Sequence, residues 1–396
     1  MDDRLGVYVD DIYRVVENDR AGRRISSDRA FILFAYAVSQ HFDDLVLFGR
    51  AVESDHDADY VLPGDVDLAA LPSYANLREL IEVTKSAIGT GKEMWRGLER
   101  VDTVWVFGPH PFGFLLVALA RLRGKRVALG VRQDTLRYHA ARLNGRRWAP
   151  MLGLVRLADG FHRLLARRIP TTVVGAELAG HYGPERRTTY AMTVSLVPER
   201  ELELPPAARD LAGKVELLTI GRLEVEKNPL LVVETLAELE RRRPGRFHVT
   251  WIGRGKLEDE VRARAEALGV SELITLRGYV PFGPELLDLY RQADVFMHVS
   301  LTEGVPQVLV EALACGTPIV ATAVGGVARA LEDGRAGLLV PAEDRDALVA
   351  AVERLVDEPD LRARLVAEGR TLVRNVTLEA ESARVADFIA GRPKPD

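Results

Sequence analysis

Short apolar runs alternate with amphipathic stretches along most of the chain. The runs at Gly6–Val9, Leu45–Phe48, Thr103–Phe107, Arg126–Leu129 and Thr171–Val174 have the length and β-branched content of buried strands. Between them, Asp28–His41 and Pro111–Arg123 carry apolar residues at helical spacing. The entry Ser26-Ser27-Asp28 offers side-chain oxygens to cap the first of these helices. Strand and helix alternating at this interval predict a parallel sheet wrapped by helices.

The rhythm breaks near residue 199, where "PERELELPPAARDLAGK" has three prolines and little periodicity and reads as a linker. A second series follows. Strands are expected at Val215–Ile220, His248–Ile252, Ile274–Arg277, Val295–His298 and Pro318–Thr322. Helices are expected at Pro229–Arg241, Leu257–Leu268, Glu285–Gln292, Pro306–Ala314 and Asp346–Val356, with a last one over Leu378–Ile389. The expected fold class is α/β, with two similar doubly wound, Rossmann-like domains. Ligands in such folds sit beyond the C-terminal ends of the strands.

Composition narrows the function. The chain has 396 residues, 47% of them hydrophobic and 28% charged, enough for two cores. A net charge of -5 gives no support to nucleic acid as a partner. Arginines at 20, 23, 24 and 29, and again at 241–243, read as solvated faces. A single cysteine, Cys315, excludes a disulfide framework and fits a reducing cytosol. The opening "MDDRLGVYVD" lacks the basic start and apolar core of a signal peptide. A cytoplasmic protein, at most peripheral on the inner face of the membrane, is the expectation.

Four segments carry candidate chemistry. In "TIGRLEVEKNP", Gly221 follows a strand, and Arg222 and Lys227 flank a loop leading into a helix. A strand end, a glycine turn and a helix N-terminus favour an anion, and two cations make a diphosphate cradle, although surface charge on a loop fits too. In "WIGRGKLEDE", Gly253 allows close backbone approach, but a lone Gly-x-Gly reads first as a plain turn. In "LTEGVPQVLVEALACGTPIVAT", Glu303 lies in a loop past a strand, Pro306 suits a first helical turn, and Glu311 sits within the helix. Glu311 has two acceptor oxygens for the two donors of a ribose diol, and Glu303 can hold a second sugar beside the backbone of Gly304, Val305 and Pro306. In the alternative, Glu311 pairs with a nearby arginine. Finally, Gly325-Gly326 opens the next helix and either lines the same crevice or forms a simple loop.

Taken in order, Gly221-Arg222-Leu223, Glu226-Lys227-Asn228, the two glutamates, Gly325-Gly326 and "GLLVP" at 337–341 resemble the second domain of retaining GT-B glycosyltransferases of the large fourth family (glycosyl transferases group 1). The resemblance is strong over 215–345. It implies a GT-B fold with two domains facing a central cleft. It divides the chain into a 1–198 acceptor domain, a 199–375 donor domain and a 376–396 helix crossing back. It also implies a nucleotide-diphosphate-sugar donor used as substrate, a hydroxyl acceptor, no cofactor, no metal, and retention of configuration. Arg222 and Lys227 would hold the diphosphate as it leaves, Glu303 the transferred sugar and Glu311 the ribose. Cations aimed at the leaving diphosphate suit that chemistry.

The first half departs from the family pattern. No tight glycine loop follows the first strand, and Asp10–Ile25 reads as a long loop that shapes the acceptor site. Where many members carry a His, this chain has Arg132, Gln133 and Asp134, so Arg132 and Asp134 are the acceptor candidates. His110, in "FGPHPFGF", is the best histidine candidate for catalysis. The Asp-x-Asp pairs of "DHDADYVLPGDVD" read as a solvated loop. The basic, amphipathic "RRWAPMLGLVRLADGFHRLLARR" either rests on an anionic membrane or packs on the sheet. A sugar-nucleotide epimerase, a phosphorylase and a non-catalytic nucleotide-sugar-binding protein are the alternatives.

Overall fold

A computed structural model describes residues 3–18, 22–64, 66–72, 80–142, 148–183, 187–207, 209, 211–304 and 306–392. The chain divides into two units, Met1–Val194 with Glu381–Asp396, and Ser195–Ala380.

The strands of the first unit are β1 (Arg4–Asn18), β2 (Gly22–Ser27), β3 (Asp44–Glu53), β4 (Tyr60–Val61), β5 (Asp67–Leu71), β6 (Thr103–Phe107), β7 (Arg126–Val131), β8 (Thr171–Val174) and β9 (Thr189–Met192). Its helices are α1 (Phe31–Ser39), α2 (Leu80–Gly97), α3 (Pro111–Leu122), α4 (Thr135–Arg142), α5 (Ala149–Ala166) and α6 (Ala176–Tyr182). One sheet runs β4-β2-β1-β6-β7-β8-β9, with β3 also paired to β1 and β5 to β3. The core lies under α3, with Val104, Val106, Leu116, Leu129 and Val173 all buried.

The expected loop over Asp10–Ile25 is instead mostly strand. The first part of β1 pairs in parallel with β3 and β6. After a register shift between Tyr8 and Ile12 it continues to Asn18, antiparallel to β2. Tyr13 and Val15 are buried while Ile12 is 43% exposed, the alternation of a strand with one covered face. The buried Asp11 carboxylate ties β1 to β2, accepting from the backbone N–H of Ile12 at 2.9 Å and from Ser27 Oγ at 3.0 Å. Ser27 is thereby drawn into the sheet, and α1 begins only at Phe31, after Ala30 and without a side-chain cap. The expected Ser-Ser-Asp cap is not formed.

The second unit contains β10 (Val215–Ile220), β11 (Phe247–Ile252), β12 (Ile274–Gly278), β13 (Val295–His298), β14 (Ile319–Thr322) and β15 (Leu338–Val340). Its helices are α7 (Pro229–Arg242), α8 (Glu258–Ala267), α9 (Pro284–Gln292), α10 (Gln307–Ala314), α11 (Val327–Ala330), α12 (Arg345–Asp357) and α13 (Pro359–Val373). Helix α14 (Leu378–Ala390) starts in this unit and ends in the first.

The second sheet is parallel, in the order β12-β11-β10-β13-β14-β15. Adjacent residues of a strand feed opposite cores: Leu217 and Met297 pack on one face, Leu218 and Phe296 on the other. That is why the central strands read as largely apolar runs. The sheet reverses direction of growth between β10 and β13, and the loops leaving those two strands meet at the switch point.

Candidate active site

Beyond β10 and β11 the backbone is packed without room for side chains. Gly221 N–H donates to Ile252 O at 2.9 Å, and Trp251 Nε1 donates to Gly221 O at 2.8 Å. Gly253 has φ +137°, and a Cβ there would lie 2.0 Å from Gly221 O. The Gly-x-Gly is thus more than a plain turn: its first glycine lets two strand-end loops touch. Gly325, at φ +50°, does the same for the loop after β14, where a Cβ would sit 1.9 Å from Glu303 O.

Glu303 is the centre of the polar cluster. Its Oε1 is paired with Lys227 Nζ, accepts from Ser300 Oγ at 2.7 Å and lies 3.1 Å from His298 Nε2. Lys227 comes from the loop after β10, and the other three from β13 and its following loop. Burial alone would raise the Glu303 pKa, but the contact from His298 and the charge of Lys227 outweigh it and hold the carboxyl at about 2. The loops are tied further by Leu301 N–H donating to Glu226 O at 2.9 Å.

Glu311 has a different environment. It is 7% exposed on α10 and accepts from Tyr290 Oη of α9 at 2.8 Å, so its partner is a phenol and not an arginine. Burial pushes its pKa up to about 7, against the lowering effect of the Tyr290 hydrogen bond. Rings connect the two acids. Tyr290 meets Phe296 edge-on at 5.3 Å, and Phe296 stacks on His298 at 6.3 Å, between ring centroids. Phe296 and His298, two apart on β13, share a face of the strand.

Arg222 is largely exposed, and its guanidinium goes to Glu226 at 2.7 Å. Pro306 sits at the N-cap of α10, just before the first turn. Gly304 precedes it in the open, with no atom within 4 Å of an added Cβ, and Val305 lies outside the described residues.

In the first unit, His110 stands at the N-cap position of α3, just past β6, without a side-chain capping bond. Its Nδ1 shares a 2.8 Å hydrogen bond with Tyr8 Oη, and its Nε2 is 3.5 Å from Asp10 Oδ2. Arg50 reaches the same Asp10 at 3.3 Å. Burial lowers the His110 pKa, and Arg50 adds to that while Asp10 opposes it. Arg132 and Asp134 diverge. The Arg132 guanidinium lies over the Phe31 ring at 4.8 Å, and Asp134 faces His181 at 3.9 Å. Asp134 lines a hollow of about 280 Å³ with Gln133, Arg163, His181 and Tyr182. Of the Asp-x-Asp stretch, Asp57 pairs with Arg24 at 2.7 Å and Asp67 with Arg100. Among the described residues no three His, Cys, Asp or Glu side chains gather to hold a metal ion.

His298, Ser300, Tyr290, Tyr8, Asp10 and Arg50 were not singled out from sequence. His298 and Ser300 had one legible signal: they are the polar positions at the end of an otherwise apolar strand, leading straight to Glu303.

Residues 206–372 match the family model described as glycosyl transferases group 1. The matched stretch lies within the second unit. It is 34% identical over 257 residues to the D-inositol 3-phosphate glycosyltransferase of Arthrobacter sp. (strain FB24), covering 60% of this chain and 59% of the relative. Across the first three such relatives the chain spans 51–59% of their length. Among solved structures, WaaG, a glycosyltransferase involved in lipopolysaccharide biosynthesis, superposes with a TM-score of 0.68 at 16% identity over 98% of this chain and 100% of that one. Anabaena HepE in complex with UDP and glucose gives 0.65 at 13% identity, over 98% and 99%. These likenesses establish the GT-B fold for this chain.

Proposed function

We propose that this protein is a retaining, metal-independent glycosyltransferase that moves a sugar from a nucleotide-diphosphate-sugar to a hydroxyl acceptor. The observation that carries the reading is the half-buried Lys227–Glu303 pair at the switch point of the second sheet. An ammonium fixed at the strand ends is where a departing diphosphate needs positive charge. A carboxylate held ionised by His298 and Lys227 is an acceptor for sugar hydroxyls throughout the neutral range. The reaction breaks the bond between the anomeric carbon and the phosphate oxygen and forms one to the acceptor oxygen. In the retaining form, attack comes from the face the diphosphate leaves, and the acceptor's proton passes to the leaving phosphate. Glu311 is assigned to the ribose. His110, Arg132 and Asp134 are assigned to the acceptor and the transferred sugar. The relatives' name puts a phosphorylated cyclitol among the acceptors to try first, and the HepE complex puts UDP among the nucleotides.

The test is a thermal-shift panel of nucleoside diphosphates and their sugars, followed by product analysis with hydroxyl acceptors, inositol phosphate included. Stabilisation by one nucleotide and release of its diphosphate only when acceptor is present are expected. No stabilisation by any nucleotide would sink the reading. An inverted anomer in the product would remove the retaining part, and loss of turnover in chelator the metal-independent part.

A further inference from the structure

Among the described residues, helix α5 (Ala149–Ala166) has a largely open apolar face, touched at its Phe161 by the edge of the Phe114 ring of α3 at 5.1 Å between centroids. Leu154, Leu157, Phe161 and Leu164 are 63, 70, 46 and 55% exposed. At 100° per residue these four fall within about 80° of arc, a continuous stripe on a helix about 27 Å long. Arg156, Arg163 and Arg167 are also exposed and fall within about 40° of arc along one edge of it. Gly153 and Gly160 occupy the strip between, with no atom within 4 Å of an added Cβ, so the stripe and the basic edge form one open surface. The opposite side buries His162 and Ala166 against the unit, so the orientation of the helix is fixed.

Charge decides what fits. The exposed positions from Ala149 to Arg168 include four arginines and no carboxylate. Asp159, the one acid of the helix, is turned inward and holds Arg163 at 2.5 Å. The chain as a whole carries a net charge of -5, so attraction to an anionic surface has to come from a local patch such as this one. Among the described residues no helix is long and apolar enough to cross a membrane. We infer that α5 docks flat on an anionic lipid surface, with its leucines and Phe161 entering the acyl boundary and its arginines meeting the headgroups.

Sedimentation with vesicles tests this without any nucleotide, so its result is independent of the transfer reaction. The probes are vesicles of phosphatidylcholine alone and of equal parts phosphatidylcholine and phosphatidylglycerol. The wild-type chain should bind the anionic vesicles and release from them as salt rises. The double variant Leu154→Ser/Leu157→Ser, at two exposed sites, should keep its melting temperature and lose at least about tenfold in binding. Arg156→Gln/Arg167→Gln should lose about 30-fold on anionic vesicles and nothing on neutral ones. Equal binding by variants and wild type, or no binding by the wild type, overturns the inference. So does a shift from dimer to monomer by light scattering in the leucine variant, since a second copy would then be the occupant.

Discussion

The first strand of each sheet leads into its helix in a different way. In the second unit, β10 ends at Ile220 and gives way to a tight loop, Gly221–Asn228, whose Lys227 reaches Glu303. In the first unit, β1 does not stop where its counterpart does. It shifts register after Tyr8 and continues to Asn18, and the polar groups near that shift, Asp10, Arg50 and His110, are side chains that answer one another. On the proposed reading, backbone packed to the limit would leave room for a ligand's phosphates, whereas a long strand with paired side chains would offer hydroxyl-scale contacts. One architecture can therefore carry two kinds of recognition, set by whether the chain after the first strand is glycine loop or sheet.

The largest expected effect breaks the packed side of this comparison. Gly325→Ala places a methyl 1.9 Å from Glu303 O at a φ of +50°, and Gly180→Ala in the first unit meets nothing within 4 Å. The first should cost about 4 kcal/mol and lower the melting temperature on the order of 10 °C, while the second should be neutral or slightly stabilising. Calorimetry on both reads the difference directly.

Next, Lys227→Ala should reduce turnover about 100- to 1,000-fold and weaken nucleoside diphosphate binding less. Arg222→Ala, already paired with Glu226 at the surface, should stay within about tenfold of wild type. His110→Ala should leave diphosphate binding unchanged. Titration calorimetry beside initial rates separates the three; a diphosphate affinity that follows His110 would collapse the contrast between the units.

The third prediction contrasts the two acids of the second unit by pH. Glu303 has its pKa lowered from 4.5 to about 2, so its contribution is present above pH 4.5 and lost as pH falls toward 2. Glu311 has its pKa raised from 4.5 to about 7, so the folded state keeps its proton longer and loses stability as pH rises from 4.5 to 7. Each is worth about 3 kcal/mol across its window. Melting curves should show Glu311→Gln more stable than wild type at about pH 8 and equal to it at about pH 4. Glu303→Gln should be less stable than wild type at about pH 8, with the gap closing only in acid. Parallel curves for the two variants would remove the distinction.

Much of the architecture is readable because the strands are mostly parallel and buried on both faces, and such strands carry apolar runs like Val295–Met297. The β1 extension is not legible because the polar stretch from Asp10 reads as the start of a long loop. The burial of Asp11 under Ser27 is a tertiary fact, although the alternation from Ile12 to Val15 did carry a trace of it. The meeting of Lys227 and Glu303 followed from loop positions at two strand ends. The company Glu303 keeps did not, since a histidine inside a strand declares no partner until its neighbours are placed. Glu311 was expected to need a partner, and Tyr290 is one that spacing along a single helix could never supply, because it lies on α9.

The path of the chain has its own consequence. Residues on both sides of 195–380 fold into the same body, so the second unit is, covalently, an insertion with two crossing points. It can be cut out as one uninterrupted segment, while its counterpart needs a graft joining Val194 to Glu381 before it is a single polypeptide. Any force or proteolytic nick at one crossing therefore leaves the other as a tether.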